Sequence, residues 1–129
     1  MRIEHFAYHT SHPVETANWY VEHFGFTIKR ASDESFSVRF LADESGQVML
    51  ELYNNPCVET PHYSEMDPLL LHIAFSCDNI KDTIQQLTRV GATLISGPNL
   101  IRGDELAMLR DPWGFAIQLC KRGSPMVTA

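Results

Sequence analysis

The sequence holds only three cysteines, Cys57, Cys77 and Cys120, an odd number with no CxxC spacing among them. That excludes a disulfide framework and a zinc knuckle, and it fits a reducing cytoplasm. Basic residues are also scarce. Ten lysines and arginines stand against sixteen acids, a net charge of −6 at pH 7, and they form no stripe that could track phosphates. Nucleic acid is therefore excluded as a partner. Long apolar runs are missing too: stretches such as Leu69 to Leu71 fall far short of the ~20 residues that cross a bilayer. The opening Met1-Arg2-Ile3-Glu4-His5 carries charge where a secretory signal would be apolar. Membrane insertion and export are both disfavoured.

What is present supports a folded domain. Hydrophobic residues make up 44% of the 129, an ordinary globular share. A chain of this length can hide ~65–70% of its unfolded surface, so a core forms without covalent staples. Each half alone would be marginal, and a single domain over residues 1–129 is expected.

Two helices announce themselves by period and punctuation. The first runs through Val14, Ala17, Val21 and Phe24, with Pro13 in its first turn and Gly25 as its stop. The second carries the stripe Ile80, Ile84, Leu87 and Val90, opened by Asp78 or Asn79 and closed by Gly91. Each follows a strand containing a histidine, Ile3 to Tyr8 or Leu70 to Ser76, and precedes another strand, Phe26 to Lys29 or Thr93 to Ile95. A hairpin pattern comes next in each half: Phe36 to Leu41 with Val48 to Tyr53, and Glu105 to Leu109 with Phe115 to Cys120.

The order βαβββ thus occurs twice. A step of 67 residues carries His5 onto His72 and Glu51 onto Gln118, and Leu50-Glu51-Leu52 onto Ile117-Gln118-Leu119. The chain reads as a duplication, module 1 over about 1–55 and module 2 over about 69–122. Between them lies a connector, 54–68, with three prolines, and a tail, 123–129, follows. The expected fold class is α+β, two βαβββ modules forming a curved, cup-shaped mixed sheet with helices on its outer face.

Strand alternation then sorts the side chains. Phe6, Tyr8, Leu50, Leu52, Ile73, Phe75, Ile117 and Leu119 share the face that packs beneath the helices. The opposite face carries His5, Glu51, His72 and Gln118 among small neighbours such as Ala7 and Ala74. Taken singly, a strand histidine is usually hydrogen-bonded structure and a glutamate is usually solvated. Taken together, two imidazoles, a carboxylate and an amide related by one internal offset suit a divalent ion, Zn, Ni, Co, Fe or Mn, with positions left for solvent or substrate. His9 shares a face with His5 and edges the same cup.

This pattern resembles the vicinal oxygen chelate superfamily, the glyoxalase, bleomycin resistance and dioxygenase proteins, and within it the small glyoxalase-like members. The segments that carry the likeness are Leu50-Glu51-Leu52-Tyr53-Asn54-Asn55, Leu71-His72-Ile73-Ala74-Phe75 and Asp111-Pro112-Trp113-Gly114-Phe115-Ala116-Ile117-Gln118. The resemblance implies one metal ligand on the first and last strand of each module, hence His5, Glu51, His72 and Gln118, and a homodimer. The family's last-strand ligand is commonly glutamate, whereas here it is the neutral Gln118.

The implied function is a glyoxalase-like metal-dependent lyase or isomerase acting on a small oxygenated substrate: an oxo acid, thiohemiacetal or thioester. The metal would polarise a carbonyl while a carboxylate moves the proton on carbon. Gln118 cannot move that proton, so Glu51 is the expected catalytic base. Asn55 matches a substrate contact of the glutathione-using members, while His9 stands where those members carry arginine; both are candidate substrate-binding residues. Two other readings follow from the same family: a metal-free protein that sequesters a small molecule, as bleomycin resistance proteins do, and a non-haem iron dioxygenase. The segment Arg102-Gly103-Asp104-Glu105 resembles a loop that folds over substrate in many members.

Overall fold

A computed structural model describes residues 1–127; the end of the expected tail, Thr128 and Ala129, lies outside the described residues. The elements run β1 (His5–His9), α1 (Pro13–Phe24), β2 (Thr27–Ser32), β3 (Val38–Ala42), β4 (Met49–Tyr53), a 3₁₀ turn (Tyr63–Glu65), β5 (Ile73–Ser76), α2 (Ile80–Arg89), β6 (Thr93–Ile101), β7 (Asp104–Arg110) and β8 (Ala116–Lys121). Two compact units divide between Pro61 and His62. Each unit holds its own four-stranded mixed sheet, ordered β1-β4-β3-β2 in the first and β5-β8-β7-β6 in the second. The expected βαβββ module is therefore present twice.

The register repeats as faithfully as the order. β1 pairs in parallel with β4, His5 opposite Met49 and Ala7 opposite Glu51. β5 pairs in parallel with β8, Ile73 opposite Ile117 and Ala74 opposite Gln118. In both pairs the partner stands 44 residues further along, so Glu51 and Gln118 occupy the same place in their sheets. Because a slip of one residue would turn every side chain to the other face, the shared register holds the polar positions equivalent.

Apolar alternation explains the sheets. Leu41, Leu52, Leu109 and Ile117 are wholly buried, and each stabilises the fold by roughly 2 kcal/mol through the water it sheds. In the first unit α1 packs over β2, β3 and β4, and in the second α2 packs over β6, β7 and β8. α1 starts with Pro13 at its first turn and ends on Gly25, whose φ of 71° is the left-handed cap that glycine adopts freely. For α2 the cap is Asn79 and not Asp78: its side chain accepts the Asp82 N–H at 3.1 Å.

The buried stripe of α2 is Ile80, Ile84 and Leu87, as the period predicts, with Val90 exposed. On α1 the stripe is rotated. Thr16, Ala17, Trp19 and Tyr20 are buried instead of Val14 and Val21, because an aromatic ring removes more surface from water than a valine does. The ring of Tyr20 packs on Phe24 at 4.9 Å and on Trp19 at 5.0 Å.

The proline-rich connector is gripped on both sides of the boundary. In the first unit, buried His9 accepts the Asn55 N–H at Nε2 (2.8 Å) and donates from Nδ1 to Thr60 Oγ1 (2.7 Å). In the second, the Arg110 guanidinium donates to the carbonyls of Tyr63, Met66 and Gly114 at 2.8, 2.8 and 3.0 Å. The segment Arg102–Glu105 is similarly restrained. Asp104 accepts from Arg122 at 2.8 Å and from the Gly123 N–H at 3.0 Å, which ties the β6–β7 turn to the segment after β8.

Candidate metal centre

On the first sheet, the face opposite α1 brings His5, Glu51 and Phe40 together. Phe40 lies opposite Glu51 across the β3–β4 pair, and its ring meets that of His5 edge-on at 5.7 Å. His5 Nε2 stands 3.2 Å from Glu51 Oε2. Two donors on one ion, each bonded at about 2.0–2.2 Å, lie roughly 3.0–3.4 Å apart at tetrahedral or octahedral angles, so this spacing suits a shared metal.

The other nitrogen of His5 is also engaged. Nδ1 donates to Glu4 Oε2 at 2.6 Å, since a carboxylate can only accept. That bond is the main cause holding the imidazole above its ordinary value of 6.5; burial opposes it, and the charges of Glu4 and Glu51 add to it. With two carboxylates around it, the Nε2 edge is a place where positive charge is favoured.

On the second sheet, Gln118 lies opposite Ala74 and Met108. His72 stands just before β5 and is half-buried, with Nδ1 donating to the Pro68 carbonyl at 2.8 Å. In a neutral ring this bond leaves the lone pair on Nε2, and the Glu4 bond does the same for a neutral His5. This unit offers an imidazole and an amide, with no carboxylate at the place equivalent to Glu51. Among the described residues, no group of three His, Cys, Asp or Glu side chains gathers closely enough to hold a metal ion. His5 and Glu51, 3.2 Å apart, are donors of the kind a divalent ion takes, but they are two, short of the three that a protein metal site ordinarily supplies.

Both ring nitrogens of His9 are occupied within the chain, and Asn55 Oδ1 accepts the Cys57 N–H at 3.0 Å. Glu4 and Phe40 escape a reading of the sequence alone. Phe40 was reachable only through the β3–β4 register, and Glu4 stands one residue from His5, where strand alternation sends neighbours to opposite faces.

A sequence model of the Glyoxalase/Bleomycin resistance protein/Dioxygenase superfamily matches residues 2–119. The chain belongs to this superfamily. No curated protein matches it, but solved structures do. A glyoxalase family protein from Enterococcus faecalis is 25% identical, with 93% of this chain and 97% of that one covered at a TM-score of 0.71. A superfamily member from Sphaerobacter thermophilus, 17% identical, covers 93% and 96% with a TM-score of 0.74. TnmS3, an antibiotic binding protein from a Streptomyces species, is 20% identical over 92% and 93% with a TM-score of 0.71. Among the described residues no helix is long and apolar enough to cross a membrane, and the three cysteines are free thiols.

Proposed function

We propose that the chain is a glyoxalase-like, metal-dependent lyase or isomerase acting on a small oxygenated substrate, an oxo acid, thiohemiacetal or thioester. The proposed metal donors are His5 and Glu51 in the first unit and His72 and Gln118 in the second. A bound divalent ion would supply polarisation of a substrate carbonyl. Glu51 is the only carboxylate in the quartet and serves as the base that takes a proton from carbon, with Phe40 shielding the pair from water. The Asn55 amide contacts substrate, and His9 fixes the backbone that presents it.

The observation that carries this reading is the 3.2 Å approach of His5 Nε2 to Glu51 Oε2, together with a register that puts Gln118 at the matching place. The second unit leaves Leu100 and Ile101 exposed on edge strand β6, and such an open edge favours pairing between copies; we propose a homodimer working in the cytoplasm.

A second reading is a metal-free protein that sequesters a small molecule, favoured by the likeness to the antibiotic binding protein TnmS3 and by the neutrality of Gln118. Elemental analysis of protein purified without chelator separates the two. The enzyme reading expects a stoichiometric divalent ion that is lost in His5→Ala. Protein that stays metal-free, and binds small molecules equally well with and without chelator, would overturn it.

A further inference from the structure

Strand β2 carries one residue more than its partner. Ile28 pairs with Leu41 and Arg30 pairs with Phe40, so Lys29 and Arg30 together stand against a single position of β3. Directly opposed residues share a face of the sheet, and the consecutive Phe40 and Leu41 point to opposite ones. Ile28 therefore lies on the α1 side with buried Leu41. Lys29 alternates to the other face, and the bulge turns Arg30 to that face as well. Both cations thus join Phe40, which lies opposite Glu51 on β4. We propose that Lys29 and Arg30 are the anion-binding end of the substrate face in the first unit, and that the small oxygenated substrate is a carboxylate, an oxo acid. This rests on the reading of that face as the one that takes substrate, and it involves no metal ion.

Lys29 and Arg30 are exposed, and neither makes a hydrogen bond or ion pair among the described residues. Arg39, by contrast, is clasped by Asp33. A free guanidinium offers a carboxylate two parallel N–H bonds, and a neighbouring ammonium adds a point charge. The row Arg30, Phe40, Glu51 crosses adjacent strands at spacings of ~4.8 Å, which sets the cation and the proposed base roughly 10 Å apart at the backbone. Two long side chains and a substrate of a few carbons close that span, with the Phe40 ring against the carbon chain. An oxo acid carries its anion within a few bonds of the reacting carbon, as this spacing requires. The second unit supplies the comparison. Leu94 pairs with Leu109 and Ser96 with Met108, the same bulge, but its two residues are the uncharged Ile95 and Ser96, and Met108 lies opposite Gln118. The bulge belongs to the repeated scaffold, whereas the cations belong to the first unit.

The test titrates nitrogen-15-labelled protein with 2-oxobutyrate and with its uncharged methyl ester. The acid should shift the amide signals of Arg30, Phe40 and Glu51 and bind at least about 10-fold more tightly than the ester. Arg30→Gln should weaken the acid about 10-fold or more, and Lys29→Gln about 3-fold. Melting temperatures should hold, because both side chains are exposed on an edge strand. Arg30→Lys, which keeps the charge and loses the fork, should fall between wild type and Arg30→Gln. Arg2→Gln removes the same charge ahead of β1 and should leave binding unchanged. A loss in Arg2→Gln equal to that in Arg30→Gln would make the effect one of net charge and overturn the inference, as would an ester that binds as tightly as the acid. Exchange of the 2-oxobutyrate C3 protons in deuterium oxide reads the proposed base separately. Arg30-dependent binding without exchange above the solvent rate leaves the inference standing and overturns the lyase or isomerase reading in favour of sequestration.

Discussion

In both units the first strand pairs in parallel with the last, 44 residues on, yet acid is not shared evenly between them. Unit 1 has nine acidic against four basic side chains, net −5, and unit 2 has seven against six, net −1. The same contrast appears at the paired sites: His5 is flanked by Glu51 and Glu4, while His72 has Gln118 on its sheet and a backbone carbonyl at its ring. Register is fixed by the buried face, where Leu50 and Leu52 answer Ile117 and Leu119. Residues on the other face can change charge without moving the backbone. The scaffold repeats while the charge does not, and the carboxylates beside an imidazole stand in the first unit.

Exchanging the two unlike positions erases the asymmetry between the units. Glu51→Gln makes the halves alike and neutral; it should lower turnover about 10²- to 10⁴-fold, the range expected on removal of a general base, and weaken metal at the same time. Gln118→Glu makes the halves alike and acidic, and should tighten metal without replacing the base. Both swaps are nearly isosteric, so circular dichroism melts should hardly move. Full activity in Glu51→Gln would remove the proposed base, and weaker metal binding in Gln118→Glu would remove Gln118 from the donor set.

The positions that the repeat relates were legible in the sequence because hydrophobic alternation and a constant offset act locally. Pro13, Gly25 and the Asn79 cap mark their helix ends by chemistry that needs no tertiary information. β6 was read too short. Gly97 and Pro98 look like punctuation after Ile95, but the strand absorbs them in a register slip between Ser96 and Asn99 and continues to Ile101. The connector's composition speaks of exposure, and none of its residues is buried; what composition does not show is that the bonds holding it come from His9 and Arg110, more than forty residues away in sequence. Glu4 was hidden by the alternation rule itself, which assigns it to the face opposite His5 although strand pairing begins only at His5.

The slip in β6 has no glycine-bearing counterpart in β2, whose irregularity lies between Ile28 and Arg30. Gly97 has φ +92°, and a Cβ there would stand 2.6 Å from the Leu106 carbonyl oxygen and 3.0 Å from Ala107 Cα. Gly97→Ala combines backbone strain with a collision against backbone that cannot rotate away, so a loss of about 3 kcal/mol or more is expected. Gly46, in the β3–β4 turn of the first unit, has φ +70° but no atom within 4 Å of the added methyl; Gly46→Ala should lose only about 1 kcal/mol. Urea unfolding of the two variants measures the difference. Equal losses would mean that β6 relaxes around the methyl and that its distortion is not held by β7.

One carboxylate from each unit, Asp33 exposed and Asp104 half-buried, ties stability to pH. Asp33 is clasped by Arg39 through both oxygens at 3.0 Å, and this bond, helped by Ser37, holds it below its ordinary 3.8. Asp104 is held below the same value chiefly by the Gly123 N–H and next by Arg122. A carboxylate depressed in the folded state contributes its stability above the unfolded value, here 3.8, and loses it as the pH falls through the folded value. Melting temperature should therefore fall on acidification below pH 3.8, and part of that fall should disappear in Asp104→Asn. The side chain of Asp104 is 27% exposed against 59% for Asp33, so water and salt screen it less. Asp104→Asn should flatten the acid limb more than Asp33→Asn does, and added salt should weaken the Asp33 contribution first; the reverse order would show that the hairpin of the first unit, not the closure of the second, governs acid stability.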